Sequence, residues 1–158
     1  PAHSGEFFVD VLQTYRVEDL LDHLRQVDTV TSGMNFRCFK DLFSNTNQHY
    51  FPIMDEHGKL TGIFSINDFR SILFTPEMGD LIIVDDFGVK DLIVTTPEDD
   101  LNTVLGKFTL KIIDAIPVVA RDDPVHLLGM LRRREVISFY NDKVAAMKQR
   151  REHRVKAL

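Results

Sequence analysis

The chain is short of several things, and each shortage excludes a class of protein. Of its 158 residues one is Cys and none is Trp. The lone Cys38 cannot close an internal disulfide, so the fold must rest on a hydrophobic core, and it suits a reducing compartment. One Cys cannot build a thiolate zinc site. The six His (His3, His23, His49, His57, His126, His153) never fall at an H-E-x-x-H spacing. No G-x-x-x-x-G-K-[ST] loop occurs, which removes a phosphate-hydrolysing P-loop. With 8 Gly and 6 Pro the chain is neither collagen-like nor low-complexity. No apolar run approaches the ~18 residues of a membrane helix. The longest are Leu81 to Val84 and Ala115 to Ala120, the second containing Pro117. Basic charge is also scarce: 19 Lys and Arg against 24 Asp and Glu leave −5. A nucleic-acid partner is therefore not expected. The chain starts at Pro1 with no signal-peptide pattern, and reads as a piece of something longer or a processed chain.

What remains is ordinary soluble material, 44% hydrophobic and 27% charged. A chain this long buries roughly two-thirds of its unfolded surface and makes one domain or two small fused ones.

The sequence repeats itself. Residues 94–118 fall on residues 29–53 without a gap, at a shift of 65. Leu101 lies on Phe36, Val104 on Phe39, Phe108 on Phe43, and Ile116-Pro117-Val118 on Phe51-Pro52-Ile53. Upstream, Val17-Glu18-Asp19-Leu20 matches Val89-Lys90-Asp91-Leu92 at a shift of 72, which gives the first copy seven extra residues within 21–28. Downstream, Gly62 matches Gly129, and Asp68 falls on Glu135, at a shift of 67. Each copy of about 60 residues reads as strand, helix, strand, strand, helix. The helical stripes are Phe36, Phe39, Leu42, Phe43 and Leu101, Val104, Leu105, Phe108. Thr96 is the expected N-cap of the second helix, with Pro97 in its first turn. Turns rich in Asp, Gly and Pro at 55–59 and 121–124 join the paired strands. The expected divisions are a linker (1–13), a first unit (14–74), a connector (75–86), a second unit (87–142) and a basic helix end or tail (143–158). From residue 132 onward nine Lys and Arg face three Asp and Glu, +6, so the remainder carries −11. A solvated helix end accounts for this run, and a contact with anionic headgroups or an acidic partner is the alternative.

Residues 50–69, YFPIMDEHGKLTGIFSINDF, resemble the signature half of a CBS domain. That pattern is an apolar strand with Pro, a Gly turn, an apolar strand with Gly, and Ser-x-x-Asp entering a helix. The second copy, Ala115 through Glu135, is similar but degenerate. The tandem pair over residues 14–142 resembles a Bateman module. The resemblance implies an α/β (α+β) fold: two CBS units packed about a pseudo-twofold axis. Pro1-Ala2-His3, Gly5-Glu6-Phe7 and Asp10-Val11-Leu12 are similar to the segment that joins the membrane part to the CBS pair in bacterial CLC chloride channels and transporters. The implied protein is a cytosolic regulatory module of such a channel, on the cytoplasmic side of the cell membrane. It would be non-enzymatic, require no cofactor, and pair into a disc-like homodimer through helix faces such as Phe36 and Phe39.

The family's ligands are adenine nucleotides, here ATP, ADP or AMP, or another adenosyl compound, bound between the units. Asp68 matches the family's ribose-binding Asp and Ser65 its hydroxyl partner. Both are equally common as helix caps. In the second copy the pair becomes Arg132 and Glu135: Glu135 can still accept from ribose hydroxyls, and Arg132 can clamp a phosphate, fill the cavity or stay a surface charge. One usable site is therefore expected rather than two. Phe51-Pro52-Ile53 and Ile116-Pro117-Val118 offer apolar walls and backbone groups where Pro interrupts pairing. Thr31 and Thr96 precede the first helix of each unit, as ligand contacts or caps. A ligand-free scaffold, or a different ion-transporter or enzyme parent, are the competing readings.

Overall fold

The computed structural model describes residues 11–23, 27–70, 75–111 and 113–157. The first unit holds β1 (Val30–Thr31), α1 (Phe36–Phe43), β2 (Tyr50–Met54) and β3 (Leu60–Ser65). The second holds α2 (Leu101–Leu110), β4 (Ala115–Ala120), β5 (Asp123–Arg132) and α3 (Arg133–Lys156). Short 3-10 turns cover Val17–His23, Ile66–Phe69, Pro76–Met78 and Val84–Asp86. The first sheet runs β1-β2-β3, with β1 parallel and β3 antiparallel to β2. The second is the antiparallel pair β4–β5. Its counterpart of β1 is one parallel bridge, Thr95 to Val118, the image of Val30 to Ile53. That bridge uses the Pro117 carbonyl and the Val119 N–H, so the N–H that Pro117 lacks is not needed. The α/β fold of two similar units is as expected, and the first unit's closing helix begins as the turn Ile66–Phe69. Residues 71–74 lie outside the described residues, as do Pro1-Ala2-His3, Gly5-Glu6-Phe7 and Asp10.

Both first helices are capped alike. Asn35 accepts the Cys38 N–H at 2.8 Å, and Asp100, 65 residues on, accepts the Thr103 N–H at 2.7 Å. This corrects the expected cap at Thr96. Residues 96–99 close a turn of their own, with the Asp99 N–H on the Thr96 carbonyl and the Thr96 N–H on Asp99 Oδ2 at 3.0 Å. Pro97 therefore precedes the helix rather than lying in its first turn.

The cores show a second correction. The segment leading the chain does not pack on the unit that follows it. Val17 and Leu20, both buried, join Leu101, Val104, Ile116, Leu131 and Val136 in the core of the second unit. Val84 joins Phe36, Phe39, Phe51, Phe64 and Phe69 in the core of the first, with Phe87 packed against it. The backbone ties are images of each other. Val17 N–H meets the Asp99 carbonyl as Val84 N–H meets that of Met34, and Leu101 N–H meets Tyr15 as Phe36 N–H meets Ile82. Arg16 N–H donates to Asp19, and Ile83 N–H to Asp86. The true register of Val17-Glu18-Asp19-Leu20 is thus Val84-Asp85-Asp86-Phe87, a shift of 67 rather than 72, and the first copy carries two extra residues there, not seven. Val89, the expected partner of Val17, is 50% exposed and bridges β3 at Ile63. The exchange joins the units covalently and through both cores, so neither separates without exposing buried apolar surface.

Phe36 and Phe39 are 7% and 5% exposed, which removes them as a dimer face. Phe39 instead touches four rings, Phe43, Phe51, Phe64 and Phe69, at centroid distances of 5.0–5.3 Å. The apolar side chains these helices leave in solvent are Leu42 and Leu110.

Candidate functional site

Where the units meet, a cleft of about 480 Å³ opens between two matching edges. The first unit contributes Val27, Gln48, His49, Tyr50 and Asn67. The second contributes Asp114, Met130, Arg132, Arg133, Arg134 and Glu135. Each edge is strapped the same way. The His49 carbonyl accepts the Ile66 N–H at 2.9 Å, and the Asp114 carbonyl accepts the Arg133 N–H at 2.8 Å. Gln48 adds a tie of its own. Its Oε1 accepts the Asp28 N–H at 3.0 Å, and its Nε2 donates to the Asp28 and Tyr50 carbonyls, both at 2.8 Å. The loop at 27–28 is thereby held against the start of β2. Sequence reasoning missed Gln48, because no spacing rule marks a side chain that bonds only backbone.

The structure divides the expected site residues into four groups, the last being Thr31 and Thr96. Arg132 and Glu135 line the cleft. Glu135 Oε2 accepts the Arg132 N–H at 3.2 Å, and Arg132 Nε stands 3.9 Å from Oε1, a weak ion pair. Ser65 and Asp68 form the equivalent pair in the first unit and stand outside the lining of this cleft. Asp68 accepts the Ser65 N–H at 3.1 Å, and Ser65 Oγ accepts the Asn67 N–H at 3.3 Å, a reciprocal cap. Asn67, between them, is the residue that reaches the cleft. The third group is buried. Phe51, Pro52, Ile53, Ile116, Pro117 and Val118 are all buried in β2 and β4, and Phe51, Ile53, Ile116 and Val118 belong to the two cores. Side chains alternate along a strand, so Phe51 and Ile53, like Ile116 and Val118, turn into the cores and Pro52 and Pro117 to the opposite face; none of the six is in the lining of this cleft. Thr31 is exposed in β1, and Thr96 is half-buried with its N–H on Asp99.

Two carboxylates that the sequence did not single out organise the loops before α1 and α2. Asp85 accepts from the Ser32 hydroxyl at 2.7 Å and the Gly33 N–H at 2.6 Å. Partial burial opposes its ionisation, but these bonds, with its own N–H and the charge of Lys90, prevail and hold its carboxyl below the usual range. Asp99 behaves alike. Burial opposes ionisation, and the Thr95 hydroxyl, the Thr96 N–H and Lys107 outweigh it, lowering its pKa. Lys107 also donates to the Val94 carbonyl, so the loop, helix and strand edge are tied at one point. Among the described residues no three His, Cys, Asp or Glu converge as a metal site would need, and no helix is long and apolar enough to cross a membrane.

The paired units, their exchanged segments and the cleft between them define a tandem module. The CBS domain family pattern matches residues 17–75 and again 84–142, and the chain belongs to that family. Its fold is that of CBS pairs. A CBS domain-containing protein of unknown function from Bacillus anthracis superposes with a TM-score of 0.71 at 22% identity, covering 85% of this chain and 98% of that one. The CBS domain pair of the protein MJ0100, in complex with 5-methylthioadenosine and S-adenosyl-L-methionine, gives 0.64 at 22% identity over 82% and 98%. CBSX2 in complex with AMP gives 0.65 at 19% identity over 86% and 98%. In sequence, a homoserine O-acetyltransferase from Methanosphaera stadtmanae is 24% identical over 82% of this chain. The chain spans only 25% of that protein's length. CBS domains are generally regulatory modules, and this chain holds two in tandem.

Proposed function

We propose that this CBS pair is a sensor that binds an adenosyl ligand in the cleft between its units and transmits occupancy to a parent protein. The cleft carries the reading. Its volume suits a small ligand, with apolar Val27, Tyr50 and Met130 beside Asn67, Glu135 and three arginines. Glu135 Oε1, which among the described residues has no partner nearer than Arg132 Nε at 3.9 Å, is the acceptor for ribose hydroxyls. Ser65 and Asp68 mark the pair-related edge and are the second place where a ribose would sit. Similar CBS pairs crystallised with AMP, or with 5-methylthioadenosine and S-adenosyl-L-methionine, support the ligand class. Ligand acts on the parent only by binding one arrangement of the units better than another.

In this reading the parent is a membrane chloride channel or transporter, and the module hangs on its cytoplasmic side as a homodimer. The pattern Gly5-Glu6-Phe7 with Asp10-Val11-Leu12 supports that parent. Exposed Leu42 and Leu110 on the first helices take over from Phe36 and Phe39 as apolar positions for pairing. A second parent, an enzyme whose other three-quarters carry the chemistry, is favoured by the acetyltransferase relative.

Thermal unfolding with AMP, ADP, ATP and S-adenosylmethionine tests the ligand. At 100 times its Kd a ligand adds about 2.7 kcal/mol, or roughly 5–10 °C in a domain of this size. A shift that Glu135→Gln abolishes supports the reading at this cleft, and one abolished by Asp68→Ala moves the site to the pair-related edge. No shift with any of the four at millimolar concentration leaves a ligand-free scaffold.

A further inference from the structure

The cleft is not symmetric in charge. Ser65, Ile66 and Asn67 on the first edge correspond to Arg132, Arg133 and Arg134 on the second. All three arginines line the cleft. Their donors are largely unspent. Arg133 stands 3.6 Å from Asp114 and Arg132 3.9 Å from Glu135, both beyond good hydrogen-bond distance. Arg134 has no ion pair or side-chain hydrogen bond among the described residues. Each guanidinium carries five N–H donors, in a fork that fits phosphate oxygens two at a time. Their position is also electrostatically awkward, since positive charge at the first turn of a 24-residue helix opposes the helix dipole. Three such residues in a row at a cleft wall make a place where a multiply charged anion is favoured.

We infer that the cleft selects a nucleotide with two or more phosphates, its polyphosphate held by Arg132, Arg133 and Arg134. The inference rests on the reading that an adenosyl ligand enters this cleft, and it names the class. A monophosphate offers one phosphate group to three forks. S-adenosylmethionine brings a cationic sulfonium into a cleft whose three arginines outnumber its two carboxylates, Asp114 and Glu135. The expected order of affinity is ATP, then ADP, then AMP, then S-adenosylmethionine.

The experiment is calorimetric titration of the whole chain with those four ligands and with inorganic tripolyphosphate, in EDTA at fixed ionic strength. ATP should bind at least tenfold tighter than AMP, and tripolyphosphate should compete with ATP. The ATP-to-AMP ratio should fall toward one as salt rises. It should also fall in Arg134→Gln, Arg133→Gln and Arg132→Ser, the last restoring the first unit's hydroxyl. Circular dichroism and unfolding of each variant separate lost binding from lost folding. Equal affinities for ATP and AMP overturn the polyphosphate inference and leave the adenosyl reading standing. Tripolyphosphate binding as tightly as ATP, with no response to AMP, keeps the arginine site and overturns the adenosyl reading. Failure of every ligand to bind overturns both.

Discussion

The first unit's core contains Phe36, Phe39, Phe43, Phe51, Phe64, Phe69 and Phe87, and the same seven places in the second hold Leu101, Val104, Phe108, Ile116, Leu131, Val136 and Leu20. Six rings are replaced by aliphatic side chains, yet the caps and carbonyl ties recur residue for residue. The second unit is filled out by further side chains packed against that core, among them Leu12, Tyr15, Ile93, Ile113 and Phe139. Tyr15 meets Phe139 edge-on at 5.3 Å, with Lys143 above both rings. The comparison teaches that polar caps and backbone ties hold the shared geometry, while the core needs only to be filled. The edges facing the cleft are free to diverge, and they have.

The largest effect should come from breaking the aromatic side. Phe39→Ala removes a ring that touches four others and should cost about 3–5 kcal/mol in urea denaturation. Leu20→Ala should cost about 2–5 kcal/mol. Its signature is spatial: amide exchange should rise first in α2 and β4, not in α1, although Leu20 belongs to the first copy in sequence. Faster exchange confined to α1 would contradict the exchanged-segment architecture.

Much of this plan was legible in the sequence. The gapless 65-residue shift located both first helices and the first strand of each hairpin, and the 67-residue shift the second, because core spacing survives a change from ring to aliphatic. The leading segment was misplaced because Val-x-Asp occurs at Val17, Val84 and Val89, and only burial separates them. Thr96 reads as the cap because Thr followed by Pro is a good helix start, but Asp100 is an equally suitable residue type. Asp99, by folding residues 96–99 into a turn, decides between them, and no local pattern shows that. Arg132 and Glu135 were legible as a departure from the repeat. That they, rather than Ser65 and Asp68, line the described cleft depends on how the two units face each other.

Smaller effects sharpen the comparison further. Asp99→Ala leaves Thr95 and Lys107 without their acceptor and should cost about 1–3 kcal/mol at neutral pH. The wild-type Asp99 carboxyl is depressed in the fold, so its contribution is present above its unfolded pKa near 4 and is lost as pH falls through the lower folded value. Asp99→Asn should therefore flatten part of the stability loss below about pH 4, as followed by denaturant midpoints. Smallest of all should be removal of residues 148–158. Val144 is the last buried residue of α3, and beyond half-buried Met147 the helix is exposed. Its loss should shift stability by about 0.5 kcal/mol or less.

The central claim is that one cleft, made by both units, receives the ligand. Amide chemical-shift mapping of the labelled chain during ATP titration tests it most directly. The account predicts saturable shifts at Tyr50 and Asn67 of the first unit together with Arg132 to Glu135 of the second, at a common Kd. Shifts confined to one unit, or none at these positions when ATP is saturating, would contradict it.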